Sequence, residues 1–173
     1  MARRVAPCVS TRLGYPLVMA TNSRTLQATP DAVWSVLADG WLYPLWVVGA
    51  SRMREVDDGW PAVGSRLYHS VGSWPLLVND STEVVDMTPG VSLTLHAHAR
   101  PTGTASVAIR LEPVGAETRV VIEEDAISGP ARLLPRPVRE VGLRWRNVES
   151  LRRLAYVAER RAMRGTPDPA PRG

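Results

Sequence analysis

Residues 91–126 read VSLTLHAHARPTGTASVAIRLEPVGAETRVVIEEDA, and this stretch decides the fold class. Apolar and polar residues alternate over 91–99, 104–112 and 118–126, with the period of two that a strand with one buried face requires. The segments between them, RPTG and PVGAE, contain the Pro and Gly typical of turns. The pattern predicts consecutive antiparallel strands joined by hairpins, with one apolar face.

The same period continues toward the N-terminus, where we predict strands over 23–28, 51–56, 65–71 and 76–87. Thr29-Pro30-Asp31 indicates a helix start, since Thr caps a helix, Pro fits its first position and an acid suits its first turn. Gly40 ends that helix. The WLYPLW that follows predicts a second short helix, broken by Pro44.

A long helix is predicted over 138–163. At about 100° per residue its apolar side chains form one stripe, which we expect to pack on the sheet: Val141, Trp145, Val148, Leu151, Leu154, Ala155 and Ala158. Arg144 falls near the middle of that stripe and Asn147 on its edge. A buried guanidinium needs a partner, so Arg144 either pairs with a carboxylate such as Glu83, is exposed by rotation of the helix, or faces a polar-lined cavity.

These elements predict an α+β fold: one strand, two short helices, six strands and a long helix. An antiparallel sheet of that size must cover its inner face, and the C-terminal helix is the one predicted element large enough to do so.

Composition bounds the class of protein. Hydrophobic residues make up 45% of the 173 residues and charged residues 22%, as in a globular domain. No apolar run approaches the ~18–20 residues of a membrane span, and the N-terminus lacks the apolar segment of a signal peptide. Cys8 is the single cysteine, which favours the reducing cytoplasm.

We predict one domain over 20–163, an arm over 1–19 that is disordered or precedes the true start, and a disordered tail over 164–173.

Charge is concentrated near the C-terminus, where residues 132–164 carry ten Arg against three Glu. Such a segment is typical of a solvated helix face. We therefore expect no nucleic-acid partner and no stable membrane association. The alternative is an interaction protein whose basic helix contacts a protein or membrane surface through Arg152, Arg153, Arg160 and Arg161.

Seven large aromatic residues present an apolar ring with a polar tip, and four of them come from connections rather than strand centres, where such rings are typical of the walls of a ligand cavity. Core packing is the alternative for each of them. The residues concerned are Trp41, Tyr43, Trp46, Trp60, Tyr68, Trp74 and Trp145.

Motifs for catalysis are few. His69 alternates with Leu67 and Val71 on the inner face, either as a core histidine or as an acid, base or ligand contact. His96 and His98 share the outer face of their strand and lack a third metal ligand, so we expect no metal site. No nucleotide fingerprint or Ser-His-Asp order is present, and we expect no cofactor.

Three stretches carry a family resemblance: WVVGASRMREVDDGWPAVGSRLYHSVGSWPLL at Trp46–Leu77, SRTLQATPDAVWSVLAD at 23–39, and GPARLLPRPVREVGLRWRNVESLRRLAYVAER at 129–160. Over residues 22–162 the chain resembles the START-like (SRPBCC) superfamily, in its polyketide cyclase/dehydrase-type branch. That resemblance implies a helix-grip fold, in which a curved seven-stranded antiparallel sheet wraps the C-terminal helix around an apolar cavity.

We therefore expect a protein, monomeric or homodimeric, that binds a small hydrophobic, polyketide-like or lipid-like molecule in that cavity. The alternative is a polyketide cyclase or dehydratase acting in the same cavity by positioning and acid/base catalysis, with His69 and Tyr43 as proton donor or acceptor. The expected ligand-binding residues are Trp41, Tyr43, Trp46, Tyr68, His69, Trp74, Leu95, Arg144, Asn147, Val148 and Leu151.

Overall fold

A computed structural model describes residues 20–73, 75–99, 103–128 and 136–165. The predicted elements are confirmed in type and order, and their bounds are as follows. They are β1 Ala20–Leu26, α1 Pro30–Leu37, a 3-10 turn Gly40–Leu42, α2 Tyr43–Trp46, β2 Ala50–Val56, β3 Arg66–Ser73, β4 Leu76–Thr88, β5 Ser92–Ala99, β6 Gly103–Val114, β7 Glu117–Ser128 and α3 Arg136–Gly165.

The strands form one antiparallel sheet in the order β1-β7-β6-β5-β4-β3-β2. The register shifts between Val84 and Asp86 in the β4–β5 ladder, and twice more in the β2–β3 ladder. Irregularities of this kind bend and twist a strand. The long helix α3 crosses the inner face of this sheet, which gives the α+β, helix-grip arrangement expected from the sequence.

The helices pack on the sheet most tightly toward one end. At the start of α1, the Thr29 side chain accepts a hydrogen bond from the Ala32 N–H, as its capping role requires. Val33, Val36 and Leu37 of α1 are buried against the C-terminal half of α3 and the sheet. Their core neighbours include Leu26, Leu111, Val120, Leu154, Ala155 and Ala158.

The first half of α3 is rotated relative to the predicted stripe. Val141, Trp145 and Val148 are 70%, 67% and 52% exposed, and Arg144 is exposed as well. Asn147 and Ser150 lie four residues before Leu151 and Leu154 respectively, on the same face of the helix, and both are buried. The prediction that Val141, Trp145 and Val148 lie on the buried face was therefore wrong, because Asn147 and Ser150 occupy the inward positions here. Arg144 follows the alternative in which rotation of the helix exposes it.

The helix continues through Gly165, slightly beyond the start of the tail predicted to be disordered. The rest of that tail and the predicted N-terminal arm lie outside the described residues, and so does Trp74. Within the described ranges, no helix is both long enough and apolar enough to cross a membrane.

Candidate functional site

A cavity of about 90 Å³ lies between the sheet and the first half of α3. One water molecule requires roughly 10–15 Å³ of such space, so the cavity has room for more than a single water. It is lined by Tyr43, Trp46, Val47, Val48, Gly49, Ala50, His69, Val71, Leu95, Ala97, His98, Ala105, Val107, Ile122, Glu124, Arg146, Asn147 and Ser150.

The cavity has a buried inner end and a more exposed mouth. Tyr43, Trp46, Leu95 and Ile122 at the inner end are at most 4% exposed. Gly49 is exposed, and Ala97, His98 and Ala105 near the β5–β6 turn are half-buried. The more exposed lining residues therefore lie at the end of β5, at the start of β6 and in the segment that joins α2 to β2.

The short helix α2 places two aromatic rings in the cavity wall. Pro44 fits the first turn of this one-turn helix, which begins directly after the 3-10 turn. Tyr43 and Trp46 then point inward and contact each other edge to face, with ring centroids 5.4 Å apart. The Val48 N–H donates a hydrogen bond to Ser150 Oγ at 3.2 Å, which attaches the end of this segment to α3.

Tyr43, His69 and Thr82 form a hydrogen-bonded cluster beside the cavity. Thr82 Oγ1 lies 3.1 Å from both the Tyr43 hydroxyl and His69 Nε2, and the two rings stack with centroids 5.2 Å apart. Burial raises the pKa of Tyr43, although the hydrogen bond to Thr82 opposes this effect. Burial lowers the pKa of His69. At neutral pH the cluster therefore presents an uncharged phenol and an uncharged imidazole.

An ion pair forms another part of the wall. Arg146 Nη2 of α3 donates to Glu124 Oε1 of β7, and the Glu124 side chain is fully buried. Burial lowers the pKa of Arg146. In the described part of the chain, four buried side-chain nitrogen or oxygen atoms lack a hydrogen-bond partner. Three of these belong to the lining: His69 Nδ1, Glu124 Oε2 and Asn147 Nδ2.

The structure brings together five of the predicted site residues in the lining: Tyr43, Trp46, His69, Leu95 and Asn147. Leu151 is buried in the adjoining core.

Four other predicted residues lie elsewhere. Trp41 is 59% exposed on the outer surface. Tyr68 cannot share the inner face with His69, because adjacent strand residues point to opposite sides. Arg144 and Val148 lie on the outer face of α3, as described above.

Three polar lining residues were missed by the sequence analysis. Glu124 was readable in principle, because Val120, Ile122 and Glu124 alternate onto the inner face of β7. Arg146 and Ser150 line the cavity because of the rotation of α3, and the apolar pattern of the helix did not predict that rotation. His98 is half-buried at the edge of the cavity, where its Nδ1 lies 3.0 Å from Oγ1 of Thr104, its register partner on β6. No group of three metal-ligating side chains occurs among the described residues.

A comparison with protein families identifies this arrangement. The sequence model of the family described as "Polyketide cyclase / dehydrase and lipid transport" matches residues 18–159. The chain belongs to this family. No curated protein is similar enough in sequence to match it.

Several solved structures share the fold of this chain. Protein NE0264 from Nitrosomonas europaea has a TM-score of 0.66 at 18% identity, covering 84% of this chain and 97% of that one. The ZhuI aromatase/cyclase from Streptomyces sp. R1128 has a TM-score of 0.64 at 20% identity, covering 82% and 93%. Ara h 8.0201 has a TM-score of 0.62 at 11% identity, covering 80% and 96%. At these identities, the likeness concerns the fold.

The burial of His69 predicts a pH dependence of stability for this family member. The pKa of His69 is lower in the folded than in the unfolded protein, so the unfolded state takes up a proton first as the pH falls below about 6.5. Asp80 opposes this shift and Arg54 adds to it. We expect His69→Gln to make the free energy of unfolding less dependent on pH between about 5 and 7.

Urea unfolding across that pH range measures this effect. His96→Gln, on the outer face of β5, serves as the control and should keep the slope of the native protein. An unchanged slope in His69→Gln would show that His69 is charged in the folded protein or makes no contribution.

Proposed function

We propose that the protein binds a small, mostly apolar molecule with one hydrogen-bonding group in the cavity between the sheet and α3. The observation that carries this proposal is the combination of a mostly apolar cavity with three lining residues, each of which has a buried polar atom without a partner. Leaving a buried polar group unpaired costs about 1–3 kcal/mol, and a ligand that pairs with it recovers that free energy. Family membership supports the same reading, because its description includes lipid transport.

The walls indicate how a ligand is held. Trp46, Leu95, Val107 and Ile122 offer apolar surface, and each Å² removed from water contributes about 25 cal/mol. The unpaired polar atoms of Asn147 and Glu124 orient the ligand, and the apolar surface supplies most of its affinity. A single-ring probe such as benzamide, which fills only part of a natural ligand's contacts, is expected to bind with a Kd of about 1 mM.

Replacing Trp46 tests this proposal. We expect Trp46→Ala to weaken benzamide binding by at least about tenfold, since it removes the largest ring of the wall. Trp41→Ala is the matched control, because Trp41 is exposed and outside the lining. NMR titration of ¹⁵N-labelled protein measures both Kd values and locates the affected residues. Equal affinities of the two variants, or shifts confined to the outer surface, would contradict the proposal.

A second candidate function is polyketide cyclisation or dehydration in the same cavity. The observation that favours it is the Tyr43–Thr82–His69 cluster, which offers a neutral imidazole as proton acceptor and a protonated phenol as donor. With a synthetic poly-β-ketone ester as substrate, His69→Ala should abolish turnover and leave ligand affinity within about tenfold. Equal loss of both, or no turnover by the native protein, would leave binding as the function.

We also expect the protein to act in the cytoplasm, as a monomer or homodimer, without nucleic acid. Native mass spectrometry of the freshly purified protein gives its assembly state. The same spectrum shows any small molecule that remains bound to it.

A further inference from the structure

Two opposite charges meet in the cavity wall. Glu124 is fully buried on β7, and Arg146 reaches it from α3 with 37% of its side chain exposed. Among the described residues of the lining, these two are the only ones of the Asp, Glu, Lys and Arg types. Asp80 is a further buried acid, but it lies opposite His69 on β4 and outside the lining. The Glu124–Arg146 pair therefore leaves this wall with no net formal charge.

Each member of the pair controls what the other can bind. An unpaired arginine in a cavity wall would hold a carboxylate, with which a guanidinium forms strong charge-assisted hydrogen bonds. Here Arg146 already forms an ion pair with Glu124. A ligand carboxylate would also approach Glu124 Oε2, which is buried without a partner, and two like charges repel strongly away from water.

An uncharged polar group meets a different environment. Glu124 Oε2 is an acceptor and Asn147 Nδ2 a donor, and neither has a hydrogen-bond partner. A carboxamide or a hydroxyl group carries both a donor and an acceptor, so it offers a partner of the right kind to each of these atoms without adding charge.

We propose that Glu124 is the specificity-determining residue of the cavity: by neutralising Arg146, it restricts the ligand to uncharged molecules and excludes carboxylates. This inference rests on the proposed function, because it concerns the ligand of the same cavity. It assigns to Glu124 a role in selection between ligands of equal shape, in addition to its structural contact with α3.

Three probes of nearly equal shape test it: benzoate, benzamide and benzamidinium carry charges of −1, 0 and +1 at neutral pH. We expect the native protein to bind benzamide at least about tenfold more tightly than benzoate, given the strength of hydrogen bonds to charged groups. In Glu124→Gln, which frees Arg146, benzoate should become the tighter ligand. Glu123→Gln is the matched control. It removes the same charge from the next residue of β7, where Glu123 pairs with Arg110 on the outer face.

Arg146→Gln provides the mirror experiment and a second variant if Glu124→Gln fails to fold. It leaves Glu124 without its cation, so benzamidinium should become the tightest of the three probes. Titration by NMR gives the Kd values, and circular dichroism verifies that each variant is folded.

The outcomes separate the two proposals. If benzamide binds in the cavity but neither substitution changes the order of the probes, the inference about Glu124 is wrong and the proposed function stands. If no probe shifts the cavity residues of the native protein at any concentration tested, the proposed function itself fails. A reversed order in Glu123→Gln would show that overall charge, rather than Glu124, sets the preference.

Discussion

Replacing Ala105 with tryptophan is expected to abolish benzamide binding, with a loss of affinity of at least about 100-fold, or ~2.7 kcal/mol. Ala105 lies on the inner face of β6 near the mouth and lines the cavity. An indole ring at this position would occupy the space that a single-ring ligand needs, because the whole cavity measures only about 90 Å³. NMR titration checks this, because the variant should show no shifts of the cavity residues at benzamide concentrations that saturate the native protein.

Ala108→Trp is the matched control for this experiment. Ala108 lies on the same strand but points to the other side of the sheet, where its register partners are Thr94 and Glu123. This variant should bind benzamide like the native protein. Full binding by Ala105→Trp would mean that the ligand lies elsewhere, and loss of binding in both variants would indicate damage to the sheet.

Leu154→Ala is expected to lower the free energy of unfolding by about 2–5 kcal/mol, the usual cost of truncating a buried leucine. Leu154 is 0% exposed in the core between α3, α1 and the sheet. Val148→Ala, six residues earlier on the same helix, should change that free energy by less than about 0.5 kcal/mol. Val148 is 52% exposed, and alanine is the better helix former. Urea unfolding measures both values.

This pair of variants tests the rotation of α3 on which the site depends. A similar, large loss at both positions would mean that the apolar stripe read from the sequence packs on the sheet after all. Arg144 would then point inward, and Arg146 and Asn147 would leave the cavity. A small effect at Leu154 would contradict the packing of the helix altogether.

Most of the fold was predictable because its signals are local. Alternation over 91–126 sets the hairpins β5 to β7, and Thr29-Pro30-Asp31 sets the start of α1. The resemblance to the superfamily then supplied the helix-grip arrangement of sheet and helix, which the family comparison and the coordinates confirm.

The candidate site was less predictable, because its inner wall breaks the rule that apolar residues face inward. Among the described side chains of the first half of α3, Asn147 and Ser150 are buried, with Arg146 beside them, and the apolar Val141 and Trp145 are exposed. A helix with two competing faces cannot be oriented from periodicity alone. Side-chain direction was easier to predict in the strands. Successive residues of a strand point to opposite faces of the sheet, so one inward residue such as His69 determines the direction of its neighbours.

A crystal structure of the protein soaked with benzamide tests the central claim most directly. We expect density for the ring between Trp46, Leu95 and Ile122, with the carboxamide within about 3 Å of Asn147 Nδ2 and Glu124 Oε2. A structure in which side chains of the protein fill that space, with benzamide absent or on the outer surface, would contradict the claim that the sheet and α3 enclose a ligand site.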